Sequence, residues 1–353
     1  MTTERRKFEH IKICLEDDVQ SKHNYLEDIS FLHSALPETN FDDIETEVKI
    51  FGKHLSFPLF ISAMTGGTEE ALKINRAIAK ACQKTGIGMG LGSQRAMIED
   101  PSLTYTYDIR KYAKDILLIG NIGLPQFVKG YNEKEAMFAV NEIKADMLAV
   151  HLNSLQEVSQ PEGDLSFKNG LLILKKLKEK LPFPLIAKET GAGISREIAE
   201  HLTFLDGVDV AGLGGTSWSA VEYYRANQHK ETVKRLWDWG IPTPLSIAEC
   251  KAAGIRTIIG SGGVRTGFDI AKCIALGASA CGIALPFLKP AVEENVDALV
   301  EKIETLKREF KIAMFLNSCQ SPNDLKTRPL FFTGDLSKLM EQREMDFHYF
   351  NYR

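Results

Sequence analysis

The sequence has no Cys-x-x-Cys pair. Its six cysteines (Cys14, Cys82, Cys250, Cys273, Cys281 and Cys319) are scattered, mostly in apolar stretches. Thiols so placed pack as small hydrophobes, which argues against a disulfide scaffold and for a reducing, cytoplasmic compartment. No apolar run approaches the ~20 residues needed to cross a bilayer. The charged start, MTTERRKFEHIKICLEDD, lacks the apolar core of a signal peptide. Nor is there an excess of positive charge: 43 Lys and Arg face 47 Asp and Glu, for a net charge of −4. That balance argues against a general nucleic-acid binder, while a local basic patch for a small anion stays open. Low-complexity segments and repeats of 20–50 residues are also missing.

The chain is 353 residues long, 44% hydrophobic and 25% charged, enough for a sizeable core. From residue 57 onward, eight short apolar runs alternate with helical patterns. They are 58–64, 86–92, 116–123, 146–152, 184–189, 208–214, 257–263 and 280–285. Continuous apolar runs suit parallel strands buried on both faces. Between them, Ile74, Ile78 and Cys82 repeat every four residues, with Gly86 as a stop. Ile198, Leu202 and Leu205 share one face of a second helix, and Ser246 with Glu249 opens another as a capping box. Thr266 with Asp269 opens one more, closing at Gly277. Eight strand–helix units predict a (β/α)8 TIM barrel, the alternative being a doubly wound open sheet. Residues 1–56 are expected to form an N-terminal cap and substrate-binding arm. Residues 57–353 would form the barrel, with a lid insertion at 216–242 and helices beyond 290.

In such a barrel the strands' C-terminal ends carry the chemistry. Those ends read Met64-Thr65-Gly66-Gly67, Ser93-Gln94-Arg95, Asn121, His151 with Asn153, Lys188-Glu189, Gly214-Gly215-Thr216, Gly262-Gly263 and Ala284-Leu285. So many polar or glycine ends on one rim suggest a site for a large ligand. The clearest local signal, SGGVRTGFD at 261–269, places glycines before a helix N-terminus, where backbone N–H groups approach a phosphate. The plain reading of the same turn is a tight loop with no ligand. Lys188 inside an apolar run is costly unless paired or used. It would serve as a Schiff-base lysine, as a cation facing an electron-rich cofactor, or as an ion-pair partner. Trp218 and Glu222, four residues apart, project from one face if that piece is helical. Arg6, Lys7 and His10 form a basic cluster, which in isolation is usually a solvated tail. Arg95 suits an anion clamp. The stretch 148–164, LAVHLNSLQEVSQPEGD, offers imidazole, amides and carboxylates but no evident nucleophile.

Together these motifs resemble the type 2 isopentenyl-diphosphate Δ-isomerases over nearly the whole chain. The resemblance is carried by RKFEH (6–10), AMTGG (63–67), GSQR (92–95), NIG (121–123), HLNSLQE (151–157) and QPEGD (160–164). KETGAG (188–193), GGTSW with Glu222 (214–222) and SGGVRTGFD (261–269) complete it. It implies a barrel binding FMN, active when reduced, with NADPH as reductant and Mg²⁺ required. It also implies a homo-tetramer or octamer acting on a small isoprenoid diphosphate, isopentenyl diphosphate interconverting with dimethylallyl diphosphate.

The resemblance further implies site roles. Ala63, Met64, Thr65, Ser93, Asn121 and Lys188 would line the flavin ring. Thr216, Gly262, Gly263, Ala284 and Leu285 would hold its phosphate. Arg6, Lys7, His10, Ser93, Gln94, Arg95, His151, Asn153 and Gln156 would bind the substrate, the charged groups through charge-assisted hydrogen bonds. Glu157 would support Mg²⁺, and Trp218 would shelter a cationic intermediate. Gln156 and Glu222 are candidates to relay protons, and Lys188 would stabilise the anionic reduced flavin. Three rivals remain: a hydride-transferring flavin dehydrogenase on the same barrel, a non-enzymatic flavin or phosphate binder, and a Schiff-base aldolase through Lys188.

Overall fold

A computed structural model describes residues 3–225, 229–345 and 350, and the side chains from Arg6 onward. Its centre is a closed, parallel, eight-stranded barrel. In chain order the strands are β1 (Leu59–Ile61), β2 (Gly88–Gly90), β3 (Leu118–Gly123) and β4 (Met147–His151). They continue with β5 (Leu185–Lys188), β6 (Gly207–Asp209), β7 (Ile258–Ser261) and β8 (Ala280–Ile283), and β8 pairs with β1 to close the ring. Seven of the eight fall inside the runs anticipated from sequence, and β6 starts one residue ahead of its run, at Gly207. The open-sheet alternative is thereby excluded.

Inside the barrel, side chains alternate with the pleat. Phe60, Ile119, Ala149, Ile186 and Ile259 form an apolar layer. Two residues further along the same strands come Ser62, Asn121, His151, Lys188 and Ser261, all lining the cavity above. One step of the pleat therefore separates packed core from functional floor. Below the apolar layer, a hairpin (Val48–Ile50 with Lys53–Leu55) plugs the barrel, packing Ile50 and Leu55 into it. Its turn residues Phe51 and Gly52 both have positive φ, the geometry of a tight two-residue hairpin turn.

The helix Glu69–Thr85 starts on Thr68, whose side chain accepts from Ala71 N, and stops at left-handed Gly86. Ile74, Ile78 and Cys82 are buried on it as expected. The Thr266–Asp269 capping box is present, with both reciprocal bonds, and Gly277 closes that helix.

Two local expectations fail. Ser246 and Glu249 do not cap a helix: theirs runs Thr243–Ala252, already begun behind Pro242. Ser246 Oγ instead donates to the Ile194 carbonyl, and Glu249 accepts from Arg196 N and Arg343 Nε. Ile198 points outward, 49% exposed, while Leu202 and Leu205 are buried, because the helix ends at Leu202 and Leu205 packs from the following turn.

The first 56 residues are woven into the rest. A helix, Thr3–Glu16, covers the mouth, and Ile29–Phe31 pairs antiparallel with Leu330–Phe332. The segment beyond residue 290 contains helices Val296–Leu316, Pro322–Leu325 and Gly334–Gln342, together with that unforeseen strand. The expected lid, 216–242, carries two short helices, Trp218–Arg225 and Lys230–Arg235. Ser219, Ala220, Val221 and Glu222 are buried. Among the described residues, no helix is long and apolar enough to cross a membrane.

Candidate active site

The strand ends open into a cavity of about 470 Å³. The β6, β7 and β8 loops build one wall from backbone. Gly214, Gly262 and Gly263 have φ of +131°, +102° and +84°, which only glycine adopts without strain. A Cβ on Gly262 would strike the Gly212 carbonyl, and one on Gly263 the Gly214 carbonyl. Asn24 Nδ2 donates to the Gly263 carbonyl at 2.8 Å and fixes the turn from outside. Beside it the helix Leu285–Val292 begins at Ala284, presenting its N-terminal end to the cavity. Thr216 completes this cradle.

Arg265, whose guanidinium donates to Gln20 Oε1 at 2.8 and 3.2 Å, also lines the cavity. It lies inside the glycine-rich motif but was not singled out from sequence. Its signal was present: a cation two residues after a phosphate-type turn.

The floor carries Ala63, Met64, Thr65, Ser93, Asn121 and Lys188. Thr65 Oγ1 is buried there without a hydrogen-bond partner, as are Thr190 Oγ1 and Asn153 Oδ1 elsewhere on the wall. Buried, unmatched acceptors and donors are costly, so three around one cavity mark a surface shaped for a polar ligand. The glycine cradle, the helix end and this floor fit the phosphate and ring of FMN.

His151 Nδ1 lies 2.7 Å from Asn121 Oδ1. Burial, reinforced by Lys188, pushes its pKa down to about 3. The imidazole is therefore neutral in the ligand-free protein; since the amide oxygen only accepts, Nδ1 donates and Nε2 is left an acceptor. A charge-assisted bond from His151 to a diphosphate thus requires a proton taken up on binding.

The opposite wall is cationic. Lys7, His10, Ile11 and Cys14 repeat at three- and four-residue steps along the N-terminal helix and face the cavity. Lys7 Nζ donates to the Gly66 carbonyl and sits 3.4 Å from Tyr107 Oη. Burial above all, then Arg6 and Arg95, lowers its pKa to about 8. Arg95 pairs with Glu99 at 2.6 Å on the rim, and Arg6 donates to Gln160 Oε1 at 3.3 Å. The two halves of the basic cluster, some 90 residues apart in sequence, meet here.

From the helix Ser154–Ser159, Gln156 and Glu157 line the cavity. Glu157 accepts from Asn153 Nδ2 at 2.7 Å and Asp164 N at 2.6 Å. A carboxylate has further lone pairs to offer, and Mg²⁺ is commonly held by one or two carboxylates plus phosphate oxygens. Among the described residues no group of three or more His, Cys, Asp or Glu is placed to hold a metal ion. Glu157 therefore fits as a single carboxylate partner and not as part of a cage.

Two candidates do not reach the cavity. Gln94 is fully buried: its amide donates to the Ala139 carbonyl and accepts from Asn121 N, so it braces β3 and has no group left for a substrate. Glu222 is also fully buried. It bonds His10 Nε2 at 2.9 Å and Arg225 Nε at 2.7 Å, and Arg225 in turn meets Glu162 at 2.5 Å. Trp218, four residues earlier, does face the cavity, and His10 packs edge-on against its ring at 5.3 Å.

A barrel whose mouth holds a phosphate cradle and a polar floor defines the class: the FMN-dependent α/β barrels. The FMN-dependent dehydrogenase family model matches residues 2–100 and 174–331. A mandelate oxidase structure with (S)-2-phenylpropionate superposes with a TM-score of 0.63, covering 93% of this chain and 97% of that one, at 18% identity. At that identity the likeness speaks for the fold alone. Isopentenyl-diphosphate delta-isomerase of Thermococcus kodakarensis is 46% identical over 96% of this chain and 94% of its own. That of Archaeoglobus fulgidus is 46% identical over 97% and 100%. The chain belongs to the isopentenyl-diphosphate delta-isomerase family, and it is an isomerase.

Proposed function

We propose that the protein interconverts isopentenyl and dimethylallyl diphosphate by 1,3-allylic proton transfer, with FMN in its reduced form and no net redox change. The observation that carries this reading is one cavity with two separate anion-binding walls. The glycine cradle suits a cofactor phosphate, and the Arg6, Lys7 and Arg95 cluster suits a second, mobile diphosphate. Reduced FMN supplies an acid–base nitrogen and an electron-rich ring that no side chain offers.

The side chains do the rest. Arg6, Lys7 and Arg95 neutralise the diphosphate, with the Asn153 amide and the neutral His151 imidazole beside them. Glu157 would hold Mg²⁺, whose charge would help neutralise the diphosphate. Trp218 turns its ring face to developing positive charge and keeps water away. Gln156 touches the hydrocarbon end directly. Glu222 meets the cavity-lining His10 directly, so a proton it holds or accepts can pass through that imidazole. NADPH as reductant and a tetrameric or octameric assembly rest on the family resemblance, and a cytoplasmic location rests on the scattered, unpaired cysteines.

The test is anaerobic incubation with FMN, dithionite, Mg²⁺ and isopentenyl diphosphate. Dimethylallyl diphosphate should form while the flavin stays reduced throughout. Net flavin reoxidation by the substrate would instead support the dehydrogenase reading, and turnover of the FMN-free protein would overturn the proposal.

A further inference from the structure

Below the cavity floor lies a small chamber of about 20 Å³ on the barrel axis, walled by Phe60, Ile119, Ala149, Ile186 and Ile259. Among the described residues one carboxylate lines it, Asp209. This residue ends β6, and its Cα is the register partner of Lys188 on β5. Asp209 Oδ2 sits 3.7 Å from Lys188 Nζ, and both side chains are nearly buried. The other oxygen, Oδ1, accepts from Ser261 Oγ at 2.5 Å and from Ala211 N at 3.3 Å. Lys188 Nζ also donates to the Glu189 carbonyl at 2.6 Å. Glu189's own carboxylate is turned to the Thr190 and Ala192 N–H groups. Asp209 is thus the counter-ion of Lys188, and it is locked from two sides so that it cannot swing away.

We propose that Asp209 is a positioning residue that holds Lys188 at the cavity floor and, through it, sets how strongly the site favours negative charge on a bound flavin. The inference rests on the reading that Lys188 faces the flavin ring. A free lysine there would present its whole charge; a lysine tied to a carboxylate presents less, but at a fixed place. Ser261 and the Ala211 amide draw density from Oδ1 and leave Oδ2 toward Lys188. The polar layer's other members, Ser62, Asn121, neutral His151 and Ser261, add no opposing charge. Glu189, buried next in sequence, also feels the Lys188 charge, but its carboxylate is satisfied by backbone N–H groups, which leaves Asp209 as the carboxylate paired with Lys188 at the floor.

The test uses FMN-loaded protein and two readouts besides turnover. One is the flavin midpoint potential. The other is the dissociation constant for sulfite, whose addition to oxidised flavin places negative charge on the ring. Lys188→Met should weaken sulfite about tenfold and lower the potential by about 30 mV, the equivalent for a two-electron couple. The neutral variants Asp209→Asn and Asp209→Ser should move both readouts about as far in the opposite direction. Asp209→Glu should stay near the parent. In Lys188→Met/Asp209→Asn the aspartate effect should vanish, since the double-mutant cycle isolates what passes between the pair.

An unchanged Asp209→Asn beside a shifted Lys188→Met would overturn the proposal and leave the lysine reading standing. An unchanged Lys188→Met would overturn the lysine reading itself. An aspartate effect persisting without Lys188 would show that Asp209 acts on the flavin by another route. Failure of both neutral variants to load FMN, with Asp209→Glu intact, would make the carboxylate purely structural.

Discussion

Lys7 offers the sharpest test of the cationic wall, because its binding role and its effect on stability respond to pH with opposite signs. Burial, with Arg6 and Arg95 adding repulsion, holds its pKa at about 8, against an ordinary 10.5. If the ammonium form binds the diphosphate, affinity must fall as the free enzyme loses that proton. One pH unit above the pKa only about a tenth of the lysine is charged, so an alkyl diphosphate should bind about tenfold more weakly at pH 9 than at pH 7. The ligand's last ionisation, near pH 6, lies below this window.

Isothermal titration of FMN-loaded protein between pH 7 and 9.5 would measure it. Lys7→Arg, charged throughout, should flatten the profile; Lys7→Met should bind weakly at pH 7 and show no further loss. In the ligand-free protein the folded state disfavours charged Lys7, so between about pH 8 and 10.5 the unfolded chain binds more protons. The Lys7 contribution to stability therefore rises with pH through that window. A flat wild-type binding profile, or a full tenfold loss retained in Lys7→Met, would refute the assignment.

Three further outcomes follow from other parts of the structure. Gly263→Ala should forfeit about 1–3 kcal/mol to backbone strain at φ +84° and collide with the Gly214 carbonyl, so FMN uptake measured by fluorescence titration should weaken at least about tenfold. Arg343→Met leaves the nearly buried Glu249 carboxylate without its cation and should cost about 3–5 kcal/mol in urea unfolding. Glu197→Ala, on the exposed side of the same arginine, should cost less than about 1 kcal/mol. Gln156→Ala and Glu222→Gln should each lower kcat at least about a hundredfold, the usual scale for a proton-transfer group, while FMN still binds; unchanged turnover in both would remove them from the proton path.

The barrel was legible because its strands are buried on both faces and so read as unbroken apolar runs. The rim was legible because each run stops at a polar or glycine position. What stayed hidden depends on partners far away in sequence. Ser246 and Glu249 carry a local cap signature, yet Ile194, Arg196 and Arg343 claim them. Ile29–Phe31 finds its strand partner some 300 residues on. Gln94 sits in a motif beside Ser93 and Arg95, but one residue's shift at a strand end turns its amide into the wall. Asp209 lies inside an apolar run, GVDVAGLG, and its inward orientation emerges only from the register that sets it beside Lys188.

The barrel by itself does not select the reaction. Mandelate oxidase shares the fold at 18% identity, so the fold alone does not separate an isomerase from an oxidase, and the side chains at the mouth must do so. Here part of that set comes from helices outside the strands. Lys7 and His10 arrive on a helix that precedes β1, while Trp218 and Glu222 arrive on the helix after β6, and the two helices meet through the His10–Glu222 bond and the His10–Trp218 contact. The proposed diphosphate clamp and aromatic shelter are therefore one assembly. A change that loosens the N-terminal helix should disturb the Glu222 side as much as the cationic side, without touching the glycine cradle proposed for the cofactor phosphate.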